Sequence, residues 1–172
     1  MVWRVPEVTP TEPAGLLDER QALDAQLRCQ RESLQENCAG LDHEQLSIRP
    51  VATSLISLLG IVRHITDVER WWFRMNAAGE RLDFRYDPNL DDSDFRDLDS
   101  VSAEEVFTTY WAECTAADSA VAGLSLDDTF INDKRQARLD LRWAYLHMIE
   151  EYARHNGQAD IIRELIDGRS HR

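Results

Sequence analysis

Apolar side chains recur at helical spacing in four stretches of this chain. Leu16, Leu23, Leu27, Leu34 and Leu41 come near that spacing and Gly40 bounds them, which predicts a first helix from about Leu16 to Cys38. Residues Asp42 to Pro50 read as a short turn or helical piece. Thr53 or Ser54 can cap a second helix running to about Asn76, on which Ile61, His64, Val68 and Trp71 follow i, i+3, i+7 and i+10. Ser102-Ala103-Glu104-Glu105 is a capping box, after which Val106, Tyr110, Cys114, Ala117 and Val121 mark a third helix ending near Gly123. A shorter polar connection leads to a fourth helix, from about Leu139 or Asp140 to Asp167, with Gly168 as its stop.

Between the second and third helices the chain is polar and rich in aspartate, with Asp87, Asp91, Asp92, Asp94, Asp97 and Asp99. No glycine and glutamate stand where a calcium-binding EF-hand needs them, so the stretch reads as a solvated loop. Four amphipathic helices with one long crossover predict an all-α four-helix bundle, in a single domain over residues 1–172 with a proline-punctuated arm over 1–13. A chain of 172 residues buries roughly 70% of its unfolded surface, enough to need no covalent staple.

Charge removes some functions. With 19 basic and 32 acidic residues the net charge is −13, which repels nucleic-acid phosphates and anionic lipid. There is no basic-then-apolar leader and no run of 18 or so apolar residues, so a cytoplasmic protein is expected. Cys29, Cys38 and Cys114 lie in no C-x-x-C spacing and read as helix-face packing. Lys134 is the one lysine among the basic residues, a bias that fits a GC-rich genome.

Candidate chemistry centres on His64, which lies within an apolar stripe. Glu151 and His155 are four residues apart, hence on one helix face a turn from each other, able to converge on one ion with His64 from a facing helix. Two nitrogens and a carboxylate hold a divalent metal with a coordination position open; the set suits zinc first and nickel also. His147 forms a competing pair with Glu151. It does not readily share an ion with His155, because eight residues of helix separate the two by about 12 Å of rise and some 80° of rotation. The plainer alternative makes His64 a satisfied core histidine and pairs Glu151 with Arg154. Asp67, one turn beyond His64, reads as an acceptor orienting that imidazole rather than as a ligand. Arg63 and Arg154 neighbour the ligands but read as surface or ion-pairing residues. Gly157 inside a helix suggests close packing against another helix. Trp71-Trp72-Phe73, Trp143 and Tyr145 read as core before substrate stacking.

TSLISLLGIVRHITDVERWWF and HMIEEYARHNGQADIIRELIDG resemble the two signature segments of the DinB-like superfamily, in its actinobacterial branch related to mycothiol-dependent enzymes of the maleylpyruvate isomerase and S-transferase type. Arg49-Pro50 and the order of the segments match as well. The resemblance implies a bundle of DinB type and selects His155 over His147, because Glu151, His155 and Gly157-Gln158 occupy the superfamily's places. Glutamate replaces the superfamily's more usual histidine at position 151, a substitution that the mycothiol-dependent branch itself shows.

The expectation is therefore a protein binding a divalent metal through His64, Glu151 and His155, with mycothiol as co-substrate and an electrophilic small molecule as partner. Thiol transfer or isomerisation by a metal-activated thiolate is the leading reaction. A metal-dependent hydrolase using bound hydroxide and a non-catalytic binding module are the alternatives. Bundles of this family often pair, so a homodimer is compatible with the sequence. The catalytic residues beyond the ligands are not legible.

Overall fold

The computed structural model describes residues 2–11 and 15–169, so Pro13, the expected end of the arm, lies outside the described residues. Helix α1 spans Glu19–Cys38, and a one-turn α2 spans His43–Leu46. Helix α3 spans Leu58–Glu69 and widens into a π-helical segment over Arg70–Ala77. Helices α4 and α5 span Ala103–Val121 and Leu141–Asp167, and an antiparallel hairpin of β1 (Thr129–Asn132) and β2 (Ala137–Asp140) lies between them. The architecture is the all-α bundle expected from the four periodic stretches.

Local side-chain chemistry sets the helix starts. Asp18 accepts from the Gln21 N–H and Gln21 reaches back, so α1 starts at Glu19 and not near Leu16, which is fully exposed. Ser57, not Thr53 or Ser54, caps α3 by accepting from the Gly60 N–H at 3.1 Å. Ser54 is spent on a local turn, accepting from the Ile56 N–H. Ser102 caps α4 as the sequence predicts, and Asp140 caps α5, which starts at Leu141, just past the expected Leu139 or Asp140. Gly40 and Gly168 take the positive φ that ends a helix without steric cost.

Cross-helix contacts give the directions. Tyr145, Asn156 and Arg163 of α5 bond Asp24, Gln30 and Asn37 of α1 in ascending order, so these two helices run parallel. Phe73 packs on Tyr145, Glu69 bonds Tyr152 and His64 meets His155, so α3 runs antiparallel to α5. Gln35 bonds Trp111 and Arg20 bonds the Val121 carbonyl, making α4 antiparallel to α1. Helices α3 and α4 are therefore parallel neighbours, and a parallel pair needs a connection that returns the length of the bundle. That is the crossover over residues 78–102.

Two polar clusters fasten the interior. Glu69, fully buried, accepts from Arg31 at 2.7 and 2.9 Å and from the Tyr152 hydroxyl at 2.8 Å, joining α1, α3 and α5. Glu113 of α4, 1% exposed, meets Arg70, Arg74 and Arg85 at 2.8–2.9 Å, which ties the π-helical segment and the crossover to α4. Burial opposes ionisation of Glu113, but the hydrogen bonds from Arg85 and Arg74 and the charge of Arg70 outweigh it and hold the carboxyl below its usual range. Between these clusters Leu27, Leu34, Leu59, Phe107, Met148 and Ile162 fill the core. Among the described residues no helix is long and apolar enough to cross a membrane.

Candidate metal centre

His64 lies two turns into α3 and is held half-buried against the Phe95 ring of the crossover, 5.8 Å away and near parallel. Glu151 and His155 come from one face of α5, opposite it. The three residues bring one ligand atom each to within 4.8 Å of one another, with His155 Nε2 already 3.6 Å from a Glu151 oxygen. A four-coordinate ion with bonds of about 2.1 Å spaces its donors about 3.4 Å apart. The α5 pair stands close to that spacing, and the His64 ligand atom lies within 4.8 Å of both. The donor set thus fits a divalent metal.

The outward nitrogens of both imidazoles are already engaged. His64 Nδ1 lies 2.6 Å from Asp94, and His155 Nδ1 lies 2.8 Å from the Gln158 side-chain oxygen. A carboxylate or amide oxygen beside Nδ1 is the kind of partner that orients a metal-ligating imidazole and leaves its other nitrogen to face an ion. Asp67 does not play the orienting role expected of it. Its carboxylate accepts from the backbone N–H groups of Arg85 and Tyr86, and burial raises its pKa despite those bonds. Asp94, 30 residues away in sequence, takes the role because the crossover folds back over α3.

The two oxygens of Glu151 serve different neighbours. One faces His155; the other lies 3.4 Å from His147 Nε2 and 3.6 Å from Arg154. The adjacent His155, with His147 and Arg154, holds Glu151 below its usual range, against the cost of burial. His147 sits on the far side of this carboxylate, stacked on Trp143 at 4.8 Å and edge-on to Trp72 at 4.8 Å. Among the described residues the converging metal-ligand set contains His155 and not His147. Arg154 is also bound to Glu150, and Arg63 is buried, donating to the Arg96 and Ser93 carbonyls and stacking on Tyr86.

The cluster opens into a cleft of about 1230 Å³ whose walls are α3, the crossover, the hairpin turn and α5. Trp71 and Val68 give it an apolar flank, while Trp72 and Phe73 are core, each 1% exposed. The π-helical segment has a wider turn than an α-helix, which changes the angular spacing of these neighbouring rings. Gly157 corrects its expectation: it is exposed, and a Cβ added there meets nothing within 4 Å.

The pattern of the mycothiol-S-transferase family matches residues 22–168, a stretch that contains all three converging residues and the crossover between them. The chain belongs to this mycothiol-S-transferase family. No protein of curated function and no solved structure matches it. Within the mycothiol-S-transferase match, Asp94 and Gln158 are the site residues that sequence reasoning missed. Gln158 stood in the quoted Gly-Gln step without a role, and Asp94 was one aspartate among many in a stretch with no periodicity.

Proposed function

We propose that this protein is a thiol-dependent transferase or isomerase that holds a divalent metal through His64, Glu151 and His155 and uses mycothiol as its thiol. The observation that carries the reading is that His64, Glu151 and His155 bring one ligand atom each to within 4.8 Å of one another at the wall of a cleft, while the Nδ1 atoms of the two imidazoles lie beside Asp94 and Gln158. Family membership supports the choice of thiol. A bound divalent cation at these donors supplies Lewis acidity that favours a thiolate over a thiol near neutral pH. Zinc suits the donors first, and nickel accepts the same set.

The chain's own residues do the rest. Asp94 and Gln158 hold the two rings in place, so little reorganisation is needed when the site is filled. Glu151 stays ionised at neutral pH, since its pKa is lowered and not raised. Val68, Trp71 and Phe84 form the apolar part of the cleft, where an electrophile's carbon skeleton can lie out of water. A net charge of −13 and a small-molecule cleft favour small-molecule partners and no nucleic acid.

Elemental analysis of protein purified without a polyhistidine tag tests the ligands. Wild type and His147→Ala are expected to carry metal and Glu151→Ala to lose it; loss in His147→Ala alone would overturn the assignment. A panel of electrophiles with and without mycothiol tests the reaction. Turnover that is unchanged when the thiol is omitted would refute thiol dependence.

A further inference from the structure

The hairpin turn opposite the cluster carries two cations that have no carboxylate partner among the described residues. The Lys134 ammonium lies 5.4 Å from the centre of the Trp71 ring. The Arg135 guanidinium lies 4.8 Å from the centre of Trp143 and 5.7 Å from that of Trp72. Both cations line the cleft that holds His64, Glu151 and His155. Carboxylates are plentiful on the same walls, among them Asp87, Asp91 and Asp133, yet the cations rest on rings. An aromatic face attracts a cation without consuming its N–H donors, and a guanidinium stacked by its face keeps its planar fork for a carboxylate.

The turn is fixed in place. Strands β1 and β2 pair from Thr129↔Asp140 to Asn132↔Ala137. Asn132, fully buried, donates to Asn76 of the π-helical segment at 3.0 Å, and its oxygen accepts the Arg135 N–H at 2.9 Å. A continuous line of contacts then joins the cation to the cluster. Arg135 lies over the Trp143 ring, Trp143 stacks on His147, and His147 Nε2 lies 3.4 Å from Glu151. Trp143 and Glu151 are eight residues apart on α5, about 12 Å of helix rise, so the molecule that reaches both is an elongated one.

We propose that Lys134 and Arg135 form an anion subsite that holds a carboxylate of the electrophilic substrate while its reactive carbon faces the His64, Glu151 and His155 cluster. The substrate class is then a carboxylate-bearing electrophile and not a neutral one. This rests on the thiol-transfer reading for the identity of the second reactant, but the subsite is tested without turnover.

Trp71, Trp72 and Trp143 lie at the subsite, so tryptophan fluorescence of the full chain as purified reports on it. Benzoate is the probe and benzamide its uncharged counterpart. Benzoate should change the emission saturably in wild type and in Arg138→Gln, an exposed control on the same hairpin, and benzamide should not. The combined Lys134→Gln and Arg135→Gln variant should bind benzoate at least about tenfold more weakly. The charge-retaining pair Lys134→Arg and Arg135→Lys should bind benzoate more tightly than the neutral pair, which separates lost charge from lost fold. Equal benzoate binding by wild type and the neutral double variant, an equal response to benzamide, or no response of wild type to benzoate would each overturn the subsite. Metal retention and thiol-dependent turnover alongside such a failure would leave the reaction standing; their loss alongside intact benzoate binding would reject the reaction and keep the subsite.

Discussion

Gly60 and Gly157 both lie inside helices, and replacing each by alanine should shift stability in opposite directions. Alanine in a helix interior gains roughly 0.5–1 kcal/mol over glycine from backbone entropy alone. At Gly157 nothing opposes this, because the added Cβ meets open space. At Gly60, in the first turn of α3, the Cβ would run into the Phe95 ring, with Cε1 at 3.1 Å and Cγ at 3.2 Å, so the ring must leave or the helix must shift. Phe95 is half-buried, and giving up its packing costs about 1–2 kcal/mol, near the cost of an overpacked site, about 1–3 kcal/mol. The net effect of Gly60→Ala is a destabilisation of about 0–2 kcal/mol, set against a gain of up to ~1 kcal/mol for Gly157→Ala. Urea unfolding followed by far-UV circular dichroism, read as a midpoint shift at constant m, measures both. Thermal melts should show the same signs at about 2–4 °C per kcal/mol. If Gly60→Ala stabilised the protein as much as Gly157→Ala, the close approach of the Phe95 ring to Gly60 would carry no energetic weight.

The same crossover carries Asp94, so Asp94→Ala should weaken metal binding about 10- to 100-fold in chelator competition while the fold remains, and an unchanged affinity would remove Asp94 from the site. Glu113→Gln should destabilise the protein by about 3 kcal/mol, the low end for a broken buried pair because the arginines reach solvent. The Glu113 pKa is lowered on folding, so its contribution is present above the unfolded carboxyl value of about 4.3 and fades as pH falls through the lower folded value; the gap between wild type and Glu113→Gln should narrow on that acid limb. Burial pushes the Cys38 thiol up to about 12, so a disulfide reagent at pH 8 should label Cys38 only after unfolding, and fast labelling of native protein at this position would contradict its burial.

Helices were legible where burial is periodic. Leu27 and Leu34 of α1, Val106 and Tyr110 of α4, and Met148 and Tyr152 of α5 repeat toward one core and are buried. Starts were legible where a capping side chain had no rival, as at Ser102, and not where Ser54, Ser57 and Thr53 compete within five residues. The hairpin was missed because Thr129–Asn132 is four residues long and alternates too briefly to separate from a polar connection. The Gly157 expectation failed because periodicity gives no measure of what lies outside the helix.

The chain alone determined the four long helices, the long crossover and the spacing that sets Glu151 beside His155, since all of these follow from local period and composition. Tertiary structure decided what depends on contacts across tens of residues. It brought His64 to α5, put Asp94 and not Asp67 on the His64 ring, turned His147 toward Trp143, and set Lys134 and Arg135 over tryptophans at the edge of the cleft. The physical reason is that a residue's periodic position fixes its own helix face, whereas its neighbours from a loop or hairpin depend on how the whole chain closes.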